Sequence, residues 1–582
     1  MKKNIKLTII TILFLPFFSL SPVAYAAEVY YLGGGGIGSE GTGAKNKQFT
    51  LEDRVDDLLD FKSYGEYGPE RSGRISGNIF QEVNWNSVSG NGSKSFLRKG
   101  VYQLTELNLN VQERLWSDYN LESQFFFRKT DDRRIEPRKD IRLKQFDVKV
   151  YNEDNLVQFG DFYGDFSQFV LGSSLEGFNV ELSHNKSQRY KMVAARRHEA
   201  DDAADLYARY VFGGKAEYVF RDESDFPLFR IGVQAVTSQD DSGSIDKVTS
   251  AEDMNNSVVS LDGEIRPAKD FSVVYELAQS VARNDQKDRT EDLRSGIAFR
   301  IQPTLKIDDF KFKYLYYYVT PKFYTDAGSA MSDKEQHQFT ADWRMNKYLT
   351  LSFIENLYWD HLKGSSRNLR TINDQKYMTA YFRPFTDSSS FAIRSYVNLL
   401  NVSSDDINDS LKSKTNTYRV SVNDSLMNGR ITYGTGYEYR QYIDLANSLT
   451  GSDIYNRING NIGIETELFG RRFYFSDDIS LDFRATKTDT NPEVTVGNSF
   501  FGTYEFHKLC TFRFGNNVQH TDAAGPSSNF TNTKNYGEFI FQFKDKRSPR
   551  ITFRLEENVY KHEDSSQNYT EDRATVRVSS NF

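Results

Sequence analysis

The side chains best suited to chemistry in this 582-residue chain are few and scattered. Histidines stand at His184, His198, His337, His361, His507, His520 and His562, and none belongs to an H-E-x-x-H pair that a helix would turn toward a metal. Each reads as a solvated or interfacial residue in a loop or near a strand end. Cys510 is the sole cysteine, which excludes an intramolecular disulfide, multi-cysteine metal motifs and C-x-x-C-H haem attachment. Gly33, Gly35 and Gly38 formally satisfy G-x-G-x-x-G. The match falls out of a glycine run, though, and no βαβ unit with a downstream acidic residue follows it. There is no G-x-S-x-G nucleophile elbow. The tracts Asp240-Asp241-Ser242-Gly243 and Asp405-Asp406-Ile407-Asn408-Asp409 read as solvated acidic loops, which offer oxygen ligands for calcium without the spacing of a full binding loop. The expectation is a protein that is not an enzyme, with no catalytic residue, cofactor-binding residue or metal ligand.

Two features of the whole chain point elsewhere. Lys2, Lys3 and Lys6, the apolar run Leu7–Leu20 and the small residues Ala24-Tyr25-Ala26 read as an export signal cleaved before Ala27. The apolar run is too short, and too broken by Pro16, for a spanning helix. Removing three lysines takes the net charge from −7 to −10, so no basic surface for nucleic acid is implied. Composition is the second feature. A 38% hydrophobic content and a mean hydropathy of −0.62 are too polar for several large cores, yet 14% aromatic residues are too many for disorder. A wall with lipid on one face and water on the other reconciles the two.

Alternation carries that reading along the chain. Phe310, Phe312, Tyr314, Tyr316 and Tyr318 share a face against Lys311 and Lys313. Ile75, Gly77, Ile79, Val83 and Trp85 oppose Arg74, Ser76, Asn78, Glu82 and Asn84. Between Phe473 and Phe483 the same pattern holds, except that Asp477 falls on the apolar face. Connections alternate in length: long at Lys561–Thr570, Gln519–Asn532 and Asn401–Asn416, short at Lys544–Pro549, Phe469-Gly470-Arg471 and Met427-Asn428-Gly429. Counting strands on this basis predicts an all-β, up-and-down antiparallel transmembrane barrel of about 26 strands, within a range of about 22 to 28. The least regular stretch, Gly160–Leu175, reads as an apolar loop folded into the lumen.

The final strand puts Phe582, Val578 and Val576 on one face, with Ser580 between them, and Arg577, Thr575 and Arg573 on the other. A terminal aromatic residue behind alternating apolar positions resembles the signal read by the outer-membrane assembly machinery. Ser580 departs from the usual apolar preference. The resemblance is to the class of Gram-negative, porin-like outer-membrane β-barrels. It implies that this machinery, lipid and lipopolysaccharide are partners and that the outer membrane is the location.

The expected organisation is therefore a signal peptide at 1–26, a glycine-rich periplasmic tail at 27–72 and a barrel at 73–582. Within the tail, Leu51, Val55, Leu58 and Leu59 mark a short amphipathic helix over Thr50–Phe61. A tail of this size makes no plug domain, and a wall of about 26 strands encloses more space than its own side chains fill. Two readings stay open: a wide conduit for passage or export of solutes, and a sheath around a partner protein such as a multihaem cytochrome. A partner in the lumen or at the periplasmic mouth belongs to the second.

Overall fold

The computed structural model describes residues 73–582, apart from 116–117, 137–139, 202–205, 246–252, 285–292, 363–369, 386–389, 405–410, 447–451, 487–491, 524–528 and 545–546. Both the signal, with Ala24, Ala26 and Ala27, and the tail at 27–72 lie outside the described residues, as does Asp405–Asp409.

Twenty-six antiparallel strands form one sheet, each paired with the next in sequence. The first, β1 (Gly73–Gly90), pairs with the last, β26 (Tyr569–Asn581), from Asn78 opposite Asn581 to Gly90 opposite Tyr569. The barrel is therefore closed and has no edge strand to satisfy. Phe582 extends the seam: its amide donates to the Gly77 carbonyl and its carbonyl accepts from the Gly77 amide, both at 3.0 Å.

The period of two decides which way every side chain points. At the seam, Trp85 and Val83 lie opposite Ala574 and Val576 on the outer face. On the inner face Arg577 donates to Glu82 at 2.8 and 2.6 Å, and Thr575 donates to Asn84. The outward side chains include Phe539, Phe553, Leu555, Ile479 and Val496, all exposed. Stacked rings such as Phe310 on Trp343, 4.7 Å between centroids, continue that belt. An apolar exterior on a closed sheet with a polar interior is the form in which strands cross a bilayer, because lipid meets apolar side chains while the backbone pairs within the wall. Asp477 does fall on the outer face, where it accepts from Asn498 Nδ2 at 2.8 Å.

Short turns gather at one end and longer connections at the other. Between β20 (Asp453–Leu468) and β21 (Arg471–Thr486) only Phe469 and Gly470 intervene, both at positive φ (51° and 71°). A turn with two left-handed residues matches the twist of adjoining strands, and glycine takes that conformation freely. The acidic tract at Asp240-Asp241 differs from its reading as a loop. Both residues end strand β9 (Pro227–Asp241), where Asp240 is tied to Arg209.

Candidate functional site within the lumen

One pair of strands leaves the wall. Strand β5 (Asn155–Ser167) pairs with β4 (Arg142–Tyr151) only from Leu156 to Gly160. Strand β6 (Leu171–His184) pairs with β7 (Gln188–His198) only from Glu176 onward. Above those points β5 and β6 continue to pair with each other, from Asp161 opposite Glu176 to Ser167 opposite Leu171. The bend sits at Gly160, whose φ is +119° and where a Cβ would come within 2.2 Å of the Phe146 carbonyl oxygen. Only glycine fits that turn and that approach. The Phe146 amide, which loses its strand partner there, donates to the Asp161 carboxylate at 2.7 Å.

The stretch Gly160–Leu175 thus enters the lumen, as its irregular pattern suggested, but as a β-hairpin and not a loop. Its tip, Gln168–Val170, is the exception to the long connections at that end of the barrel. The hairpin folds over the inner faces of β7, β8 (Ala208–Arg221), β9, β10 (Met254–Ala268), β11 (Phe271–Asn284), β12 (Arg294–Ile307) and β13 (Phe310–Val319). Phe162, Phe166, Leu171 and Leu175 share its wall-facing side. Beneath them the wall carries Val193, Val211, Val236, Val258, Ala278 and Ala298, an apolar stripe on a mostly polar interior. Phe169 closes the cluster between Tyr317 and Phe323, with centroids 5.5 and 5.9 Å away. Phe169, Val170 and Leu171 are 0% exposed.

Polar bonds fix the height of the tip. Lys215 Nζ donates to the Phe166 carbonyl and to Asp262 Oδ2, both at 3.0 Å. Ser167 Oγ donates to Glu276 Oε1 at 2.5 Å, and Ser260 donates to the same oxygen at 3.2 Å. Lys215 and Glu276 lie near the middle of their strands, so the hairpin reaches about halfway down the barrel.

The connection from β13 to β14 (Lys334–Arg344) folds in beside it. Ser329 N donates to the Gln168 carbonyl at 2.9 Å, and Gly172 N to the Ala327 carbonyl at 2.8 Å. Asp326 anchors that connection to the wall through Arg197, Arg209 and Ser238. The two segments form one shelf on about a quarter of the inner perimeter. Its far side carries Tyr163, 64% exposed, with Asp165 and Ser174, turned away from the wall and toward the lumen.

No reactive constellation accompanies the shelf. Among the described residues, no three His, Cys, Asp or Glu side chains gather where a metal could sit. His337, one of the scattered histidines, belongs to an outer-wall aromatic group: Tyr314 Oη lies 2.7 Å from its Nδ1, with Tyr316 tilted against its ring and Trp359 edge-on to it. Val576 and Val578 face outward on β26, and the Phe582 ring covers Gly77, where a Cβ would approach Phe582 Cζ to 2.5 Å. Reading alternate residues missed the shelf's seat. Its signal is a strand apolar on both faces: in β13, Leu315, Tyr317 and Val319 continue inward what Lys311 and Lys313 begin.

No family model matches the chain. No curated protein matches it either. Among solved structures, the siderophore receptor PirA from Pseudomonas aeruginosa shares 9% identity at a TM-score of 0.38, over 88% of this chain and 80% of that one. The translocation pore of the P pilus usher PapC shares 10% at 0.35, over 87% and 99%. Pseudomonas aeruginosa OpdQ shares 10% at 0.27, over 88% and 97%. Likeness at these values extends no further than the barrel shape.

Proposed function

We propose that this outer-membrane β-barrel is a wide aqueous conduit for solutes, narrowed at mid-height by the hairpin shelf and not sealed by it. One observation carries the reading. Among the described residues, the largest fully buried side chains lie in the shelf and the wall it covers, apart from Asp132 and Glu136 in the connection between β3 (Asn120–Thr130) and β4. A lumen filled by protein would bury inward side chains all round the wall. Elsewhere the buried inward groups are mostly polar or charged ones held by neighbours in the wall, and inward carboxylates pair with partly exposed arginines: Arg554 with Glu556, Arg457 with Asp482, Arg419 with Glu438. Paired charges of both signs support passage with weak ion selectivity.

The test is conductance of the purified full chain in a planar bilayer, after copurification has established whether a second protein accompanies it. Large, weakly selective steps from protein alone support the conduit. Steps that appear only after a bound partner is stripped away favour the sheath. Folded, partner-free protein that never conducts overturns the reading and places a filling segment in the lumen.

A further inference from the structure

The inner wall is not uniform. Beyond the shelf, which ends on β13, come β15 (Leu349–Asp360), β16 (Thr371–Phe382) and β17 (Ala392–Ser404). Leu357 and Met378 lie on the lipid side of these strands, so Tyr358, Gln375, Tyr377, Tyr381, Tyr396 and Asn398 face the lumen. Among the described residues, the inward positions of these three strands hold two charges, Asp360 near one end and Arg394 near the other. Elsewhere the wall is dense with ions; around Glu556 alone stand Lys534 and Arg554.

What replaces charge here is a run of tyrosines and amides along the barrel's height. Tyr358 lies near the long-loop end of β15, Tyr381 near the short-turn end of β16, and Tyr377 and Tyr396 lie between, their ring centroids 6.1 Å apart. Lys334 Nζ sits 4.5 Å over Tyr358, and Arg394 sits 5.3 Å over Tyr381, so a cation covers the ring at either end, whereas among the described residues none covers the middle pair. Gln336 donates to Asn356 at 2.8 Å and Gln375 to Asn398 at 3.3 Å. Gln336 also donates to Gln338 at 3.4 Å. A primary amide has two donors and an acceptor with two lone pairs, so these few bonds still leave capacity toward the lumen.

We propose that the inner face of β15–β17 is a binding track for neutral oligosaccharides moving through the lumen. The proposal rests on the conduit reading and names its solute class. A sugar ring has an apolar C–H face, which an aromatic face accepts, and a rim of hydroxyls, which amides both donate to and accept from. It has no charge to satisfy, and this part of the wall offers almost none. A charged solute finds stronger partners among the ions elsewhere on the wall. The track also adjoins the free side of the shelf, where passage is narrowest.

The experiment is current recording from the full chain in a planar bilayer, with maltohexaose as probe. A polyethylene glycol of matched size and an oligogalacturonate of matched length serve as controls. Maltohexaose is expected to give resolved transient blocks that outlast those of either control. Tyr377→Ala with Tyr396→Ala should shorten them roughly tenfold, within the range two aromatic faces contribute. Tyr536→Ala, on the inner face of β24 (Phe530–Gln542), should leave them unchanged. Equal blocks from polyethylene glycol, equal blocks from the charged sugar, or blocks untouched by the double substitution would each overturn the track. If the protein never conducts, the conduit reading fails separately. The track is then judged by maltohexaose quenching of intrinsic fluorescence in detergent: quenching lost in the double variant supports it, and no quenching in the wild type overturns it.

Discussion

Undocking the shelf should enlarge the conduit by an amount the fold already sets. For a round barrel of 26 strands at about 4.8 Å spacing and about 40° tilt, the circumference is about 160 Å. The backbone radius is then about 26 Å, and the lumen is about 20 Å in radius once inward side chains are allowed for. The shelf covers β7 to β13, about a quarter of that perimeter, with a layer roughly 10 Å thick. It therefore takes roughly a fifth of the cross-section. Phe169 is the side chain to remove, because it is fully buried between Tyr317 and Phe323 and is far from the wall's backbone pairing. Phe169→Ala should cost about 3–5 kcal/mol of docking, two or more decades of the equilibrium at about 1.4 kcal/mol each. Single-channel records should then flicker between the wild-type level and one larger by roughly a quarter. Adding Leu171→Ala should make the larger level dominant. Phe159→Ala is the control: its ring stacks on Phe178 at 4.6 Å on the lipid face, below the bend, and the current should not change. A folded Phe169→Ala/Leu171→Ala variant with wild-type current and noise would refute the shelf as the element that narrows the lumen.

Three further outcomes are expected. Mass spectrometry of protein from the outer membrane should find Ala27 as the first residue, and retention of Met1 would contradict the signal reading. Deleting Phe582 removes the last backbone pair of the seam and the ring over Gly77, and should lower the yield of heat-modifiable barrel; Gly77→Val, which drives a side chain into that ring, should do the same, whereas unchanged yields in both would show the terminal residue to be dispensable. In a Cys510→Ser background, a cysteine at Ser566, in a long connection, should react with an impermeant thiol reagent on intact cells, and one at Lys508, in a short turn, only after the outer membrane is opened; the reverse would invert the topology.

The wall was legible from sequence because its physics is local. A period of two and a turn every dozen or so residues are set strand by strand, so the count of 26 needed no knowledge of which strand meets which. The shelf was only half legible. Gly160–Leu175 broke the pattern, and that flagged it, but the residues read as a loop because their partner surface is spread over seven other strands. Val211, Val236, Val258 and Ala298 each look like a harmless apolar substitution on a polar face; together they form a seat. Asp240 was misread for a related reason. An acidic pair beside Ser242 and Gly243 suggests a solvated loop, yet its charge is spent on Arg209, more than two dozen residues earlier in sequence and next to it in the sheet.

Pairing between distant parts of the chain also separates a conduit from a sheath. A wall built to hold another protein needs inward groups left over for that protein, either an uncovered apolar surface or charges without a partner. Here the apolar stripe of the interior is covered by the chain's own hairpin. Many inward ions around the rest of the wall close on a neighbouring strand: Glu82 with Arg577, Asp482 with Arg457, Glu438 with Arg419, Glu556 with Lys534. A surface already satisfied in this way gains little from desolvation by a large rigid partner. It loses nothing by staying wet, and it leaves Tyr377, Tyr396 and their flanking amides as groups that a small polar solute can use in passing.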